Sequence, residues 1–196
     1  TDFVAKNQAY IDFAKSISDV AMANKAESKE ALMAMTMDGI TIAEKIAEQV
    51  GKIGEKIDIT DYALLSAETV VAYNHSNGKV GVLVAMNKKG EAVETVGKDV
   101  TMQIAAMSPI AIDKNDVPEE VKTREMEIGR EQARAEGKPE AILEKIATGK
   151  LEAYFKDATL LNQKFVKDNS KSIRDVLTAV DKDLTVTAFK RIGLGA

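Results

Sequence analysis

The side chains able to do chemistry in this chain are a single histidine, His75, and many carboxylates, and there is no cysteine. Without Cys there can be no disulfide and no thiolate nucleophile, and one His is too few ligands for the common zinc sites. His75 has no nucleophile at a recognisable spacing, and no motif pairs two carboxylates in a cleft. We therefore predict that the chain is not an enzyme and uses no metal or cofactor.

Two partial motifs for phosphate and calcium are incomplete. The segment Gly137-Lys138-Pro139 lacks the hydroxyl that would meet Mg²⁺ in a phosphate-binding loop, and no Gly-x-Gly-x-x-Gly follows a strand. Asp113-Lys114-Asn115 begins like a calcium loop, but Val117 and Pro118 stand where a ligand and a glycine are needed. The chain is thus predicted not to bind GTP itself.

The overall charge is slightly acidic, with 27 Lys and Arg against 31 Asp and Glu. This balance argues against a broad phosphate-binding surface, so we expect no direct contact with nucleic acid. No apolar run approaches the roughly 18 residues of a membrane span, and no signal-like leader is present. We expect a soluble cytoplasmic protein with no membrane partner.

Asp2 and Phe3 stand at the start of a predicted helix. Apolar residues recur at helical spacing from Phe3 to about Asn24. Asp2 suits this position because a carboxylate accepts free backbone N–H groups at a helix N-terminus. Local physics does not explain Phe3 as readily, and its ordinary interpretation is a core residue that anchors the helix.

The next elements follow from turn and capping signals. Residues 28–50 are predicted helical with a break at Gly39, after which Thr41-Ile42-Ala43-Glu44 has the form of a capping box. That second helix is expected to stop at Gly51. Strand-like runs follow at 57–59, 67–73 and 79–85, the last two joined by a tight Asn77-Gly78 turn, and residues 100–107 are predicted to form another helix.

Residues 117–157 are predicted to form an antiparallel helical hairpin. Pro118-Glu119-Glu120 opens the first helix, which ends near Gly137, and Pro139 opens the second. A turn this short places the two helices side by side, as in a coiled coil projecting from the body. The alternative is two helices packed in the ordinary way.

Two short matches within the chain suggest an internal repeat. Phe3, Val4, Asn7 and Ile11 are matched by residues 165, 166, 169 and 173, and the segment 69–73 is matched by 185–189. We therefore predict an α+β fold of two related subdomains, each with helices packed on a small antiparallel sheet. The expected limits are 1–96 for the N-terminal subdomain, 97–116 with 158–196 for the C-terminal one, and 117–157 for the inserted hairpin.

The chain opens with Thr1-Asp2-Phe3-Val4-Ala5-Lys6, and further characteristic segments lie at 52–57, at 73–75 with 78–84, at 102–106, at 136–150 and at 161–168. In this order the segments resemble elongation factor Ts, the guanine-nucleotide exchange factor of bacterial translation. The opening hexapeptide resembles that family's signature. The family's N-terminal ubiquitin-associated-like module has no counterpart in this sequence.

The resemblance implies elongation factor Tu, a GTPase, as the partner, and release of its GDP through disturbance of the Mg²⁺ and phosphate site. It also implies a set of partner-binding residues: Asp2, Phe3, Ile53, Gly54, His75, Val166 and Lys167. In this scheme Phe3 is a wedge, and Asp2 either contacts the partner or caps the helix.

Ordinary structural roles remain open for the other residues in this set. Ile53 and Gly54 could form a helix end and its apolar cover, His75 could be solvated at a hairpin tip, Val166 could pack on a helix, and Lys167 could be solvated. An alternative function is an interaction module that binds a partner through its helical hairpin without exchanging nucleotide.

Overall fold

The computed structural model describes residues 1–75 and 78–194, and of Asp2 the backbone alone. The chain divides into two compact units, Thr1–Leu64 and Leu65–Ala196. Helices and small antiparallel sheets occur in both units, so the fold is α+β. The subdomain limits expected at residues 96, 116 and 157 describe a different division and stay a prediction.

The first unit is mainly helical. Its elements are α1 (Asp2–Ala5), α2 (Gln8–Asn24), α3 (Lys29–Ala34), β1 (Thr36–Met37), β2 (Ile40–Thr41) and α4 (Ile42–Ile53). The predicted helix from Phe3 to Asn24 is divided at Asn7, whose side chain accepts a hydrogen bond from the Ala9 N–H at 2.9 Å and so caps α2. The predicted capping box of α4 is confirmed, since Thr41 and Glu44 bond to each other's backbone N–H.

The core of the first unit lies between α2, α3 and α4. Its buried side chains are Ile17, Ala21, Ala26, Leu32, Ile42 and Ile46. An extended segment after α4 covers them, with Ile57 and Ile59 packed inward and Asp58 exposed. The strand predicted at 57–59 is therefore wrong: its alternation comes from packing against helices, and within the described residues it pairs with no strand.

The second unit combines a three-stranded sheet with helices. Its elements are β3 (Thr69–His75), β4 (Val80–Met86), α5 (Glu91–Met107), α6 (Glu119–Ala135), α7 (Glu140–Ala158), β5 (Lys164–Phe165), β6 (Asp168–Ser172), α8 (Ile173–Val180) and β7 (Val186–Gly193). Short 3₁₀ turns precede α6 and follow α7, at Lys114–Asp116 and Leu160–Asn162.

The sheet has the order β3-β4-β7 and is antiparallel throughout. Strand β4 is central, and Val84 pairs with Val71 on one side and with Phe189 on the other. The hairpin predicted for β3 and β4 is present, with Gly78 at φ 84°, while Asn77 of its predicted turn lies outside the described residues. The matched segments 69–73 and 185–189 therefore fall on the two edge strands of one sheet.

The other internal match is not a structural repeat. Phe3 and Val4 lie in helix α1, whereas Phe165 ends strand β5 and Val166 lies in a turn. Similar residue types thus adopt different local structures, because Phe165 is buried in the core of its unit and its segment pairs with β6.

Helix α5 is longer than predicted and forms the support of the second unit. It begins at Glu91 rather than near residue 100, and buries Val93, Val96, Val100 and Ile104 at helical spacing. The early turns contain Val and Thr, which favour helices weakly, so the propensity signal was low there. Packing against the sheet and α8 compensates for it.

Helices α6 and α7 pack antiparallel, and we call the pair the arm. Leu143, Ala147 and Ala133 are buried between them. At Gly129 the helices approach so closely that an added Cβ would lie 3.0 Å from the Cα of Ala147. The hairpin predicted here is thus present, with its turn at Gly137, which has a φ of 73°.

Candidate partner-binding surface

The first unit presents an exposed aromatic ring at its amino end. Phe3 lies on α1, a helix of four residues, and 82% of its surface is exposed. Helix α1 is held in part by Thr1, whose hydroxyl donates to the Glu55 carboxylate at 2.9 Å. The interpretation of Phe3 as a core residue is therefore wrong, and the ring is free to contact another molecule.

Phe3 and Ile53 line the same pocket, although they are far apart in sequence. The pocket has a volume of about 380 Å³, and its other walls are Val4, Asn7, Ala9, Tyr10, Gln49 and Glu55. Its mixed lining of apolar and amide or carboxylate groups suits an apolar side chain flanked by hydrogen-bond donors. The arrangement brings two of the predicted contact residues together.

The end of α4 positions Ile53 beside this pocket. Gly54 ends the helix in a left-handed conformation with φ 75°, and its N–H donates to the Val50 carbonyl at 2.8 Å. The helix therefore continues through Gly51, where the sequence predicted its end, because the left-handed geometry occurs three residues later. Gly54 is exposed, so its backbone is open to contact.

Sequence reasoning missed Gln49 and Glu55 in this pocket. Gln49 precedes Ile53 by four residues on α4, and helical spacing alone places both on one face. No pattern of neighbouring residues indicated a role for Glu55, because that role depends on its contact with Thr1, which is distant in sequence. The side chain of Asp2 lies outside the described residues, and its predicted role stays a prediction.

In the second unit, His75 lies at the end of β3 and is exposed. Its Nδ1 is 3.0 Å from the hydroxyl of Tyr73, and the two ring centroids are 5.7 Å apart. Residues two apart in a strand share a face, so the pair follows from the strand register. Tyr73 thus restricts the orientation of an imidazole that otherwise faces solvent.

Val166 and Lys167 form the turn between β5 and β6 rather than part of a helix. Val166 is 49% exposed, and its backbone N–H donates to Oε1 of Gln103 at 2.9 Å. The Lys167 ammonium donates to Asp99 at 2.8 Å. Both turn residues are therefore anchored from α5, and Lys167 is paired rather than merely solvated.

The described residues contain no sign of metal chemistry or of a membrane span. Within 1–75 and 78–194, no three His, Asp or Glu side chains are grouped so that they could hold a metal ion. No helix there is both long and apolar enough to cross a bilayer.

Comparison with known sequences agrees with the motifs. The sequence profile of the family described as Elongation factor TS matches residues 1–196. Elongation factor Ts of Cytophaga hutchinsonii is 54% identical over 196 residues, which cover 99% of this chain and 70% of that protein. Elongation factor Ts of Amoebophilus asiaticus is 50% identical over 197 residues, which cover 100% of this chain and 71% of that protein. Elongation factor Ts of Flavobacterium psychrophilum is 42% identical over 195 residues, which cover 100% of this chain and 70% of that protein. The chain therefore belongs to the elongation factor Ts family.

Proposed function

We propose that this chain is a guanine-nucleotide exchange factor for the GTPase elongation factor Tu. The observation that carries the proposal is the exposed Phe3 ring beside Ile53, on a chain that belongs to the elongation factor Ts family. Elongation of translation is a cytoplasmic process, so the proposal places the protein in the cytoplasm. It needs neither nucleic acid nor a membrane as a partner.

The proposed mechanism is a wedge that loosens the Mg²⁺ and phosphate site of the GTPase. Mg²⁺ bridges nucleotide phosphates to protein oxygens and demands nearly ideal octahedral geometry, so a small shift of the supporting groups weakens the site. Phe3 supplies the wedge, and burial of its exposed part stabilises the shifted state by about 1.2–2.5 kcal/mol. Asp2 either contacts the partner or caps α1.

Support for the wedge comes from how α1 is held. The bond between Thr1 and Glu55 ties α1 to the segment after α4, and Ile53 and Gly54 lie next to it. Because α1 is held in this way, its backbone loses less conformational freedom on binding than a free chain end would. Ile53 and Gly54 then add contact area beside the ring.

The other proposed contacts enlarge the interface. His75, Val166 and Lys167 are exposed, and each is oriented by a neighbour within the second unit. Exchange requires no covalent step: a factor that binds the empty GTPase more tightly than the loaded one lowers nucleotide affinity by the same ratio. Typical couplings of about 1–3 kcal/mol do not empty a tightly held site, so several anchors must act together.

The test mixes the chain with elongation factor Tu that carries fluorescent GDP, with excess unlabelled GDP present. The expected result is a faster loss of fluorescence that rises with chain concentration and then saturates. A direct binding measurement runs in parallel. Binding with unchanged GDP release would select the interaction module, and absence of both would refute the partnership.

A further inference from the structure

Two fully buried amides connect separate parts of the second unit. Gln103 on α5 and Gln163 after α7 are 0% and 1% exposed. Burial of an amide is unfavourable unless its hydrogen-bonding groups find partners. Each amide nitrogen and oxygen of the two side chains has at least one hydrogen-bond partner.

Gln103 bonds to strand β5 and to the first residue of the β5–β6 turn. Its Oε1 accepts the N–H of Val166 at 2.9 Å, and its Nε2 donates to the carbonyl of Lys164 at 3.0 Å. Asp99, one helical turn earlier on α5, accepts the Lys167 ammonium at 2.8 Å. The turn that carries two proposed contact residues is thus held by one helix face.

Gln163 extends this connection to the arm. Its Oε1 accepts from Nε2 of Gln103 at 3.1 Å, and its Nε2 donates to the carbonyl of Asp157, in the last turn of α7, at 2.7 Å. The carbonyl of Gln163 also accepts the N–H of Ile173, the first residue of α8. An unbroken series of hydrogen bonds therefore runs from the end of α7 to Val166.

We propose that Gln103 and Gln163 are positioning residues that fix the Val166–Lys167 turn relative to the carboxyl end of α7. Apolar side chains could fill the same space, but only directed hydrogen bonds specify where the turn lies. For its consequence in exchange the inference depends on the proposed function, in which Val166 and Lys167 contact the GTPase.

The first test uses the isolated chain and amide hydrogen exchange. Gln103→Met keeps the length of the side chain but removes its hydrogen bonds, and it should raise exchange at the Val166 amide about tenfold relative to the amide of Val84 in the central strand. Gln163→Met should raise it by a smaller factor. Thr101→Val is the matched control, because Thr101 is also fully buried on α5 but bonds only to the carbonyl of Lys98.

The second test asks whether Gln103 acts through the turn in GDP release. Gln103→Met should raise the chain concentration needed for half-maximal release, while in a Val166→Ala background it should add little. Equal effects in both backgrounds, or unchanged protection of the Val166 amide in Gln103→Met, would overturn the positioning role. Protection lost equally in Thr101→Val would also overturn it. A wild-type chain that leaves GDP release unchanged would refute exchange, and the amide measurement would still decide the positioning role.

Discussion

Replacing Phe3 by Ala should weaken action on the GTPase while leaving the chain folded. Complete burial of a Phe side chain is worth about 1.5–3 kcal/mol, and 82% of Phe3 is exposed before binding. The ring can therefore contribute about 1.2–2.5 kcal/mol to the complex with the empty GTPase, which corresponds to an effect of about 7- to 60-fold. The remaining surface of the Phe3 ring is already buried in the free chain, so its loss should lower the free energy of unfolding by only about 0.3–0.5 kcal/mol.

The assay is stopped-flow release of fluorescent GDP from elongation factor Tu over a range of chain concentrations. A wedge stabilises the state in which Mg²⁺ is loosened, so Phe3→Ala should lower the maximal release rate and not only the apparent affinity. Met22→Ala is the matched control. Met22 is another exposed apolar side chain of the same unit, at 65%, and it lies outside the predicted surface.

Release at saturation that matched the wild type would refute the wedge. An equal loss in Met22→Ala would attribute the effect to general surface hydrophobicity instead. Urea unfolding of each variant establishes whether the chain remains folded.

Three further tests concern the supporting structure. Gly54→Ala should lower the free energy of unfolding by about 1 kcal/mol, as measured by urea unfolding, because a side chain is unfavourable at φ 75°. The strain of the backbone is the whole cost, since an added Cβ would meet no other atom within 4 Å. Gly129→Ala should lower the free energy of unfolding by about 1–3 kcal/mol, because the added Cβ would press against Ala147. Gly149→Ala, whose Cβ would stand in open space on α7, should instead stabilise the chain. Thermal melts should therefore shift in opposite directions for the two variants. Asp113→Asn should lower the free energy of unfolding by about 1.5–3 kcal/mol at pH 7. Urea unfolding at a series of pH values should show the stability difference between this variant and the wild type shrinking below about pH 4.

The sign of the Asp113 effect follows from its surroundings. Burial alone would raise the pKa of this carboxyl. Hydrogen bonds from Asn162 and Arg174, both at 2.7 Å, act together with the Lys114 N–H and the positive charge of Arg174, and these outweigh burial and hold the pKa below its ordinary value of 3.8. A lowered pKa in the folded state stabilises the protein above the unfolded-state pKa, and this contribution disappears as the pH falls through the folded-state pKa. A difference from wild type that persisted unchanged at pH 3 would contradict this explanation.

Features set by neighbouring residues were predictable from the sequence. The capping box at Thr41 needs only a hydroxyl and a carboxylate three residues apart, and the limits of the arm follow from Pro118, Gly137 and Pro139. Of the two glycines that could end α4, the pattern indicated Gly51, whereas Gly54 is the one that ends the helix with positive φ. That choice depends on how the following segment packs.

Features set by distant residues were not predictable in the same way. The pairing of β7 with β4 joins residues about a hundred positions apart, and no spacing in the sequence encodes that partner. The common pocket of Phe3 and Ile53 is likewise a product of folding. For the candidate surface, resemblance supplied the residues, and the structure added Gln49, Glu55, Gln103 and Asp99 as their supports.

The way in which the arm joins its unit has an evolutionary consequence. Ala111 and Thr159 pair as a parallel bridge, and the N–H of Leu160 donates to the carbonyl of Ala111 at 2.9 Å, so the chain departs and returns at one point. Whole turns could be added to or removed from α6 and α7 together without altering that junction. The reach of the two helices can therefore diverge among related proteins while the sheet and its supporting helix stay constant.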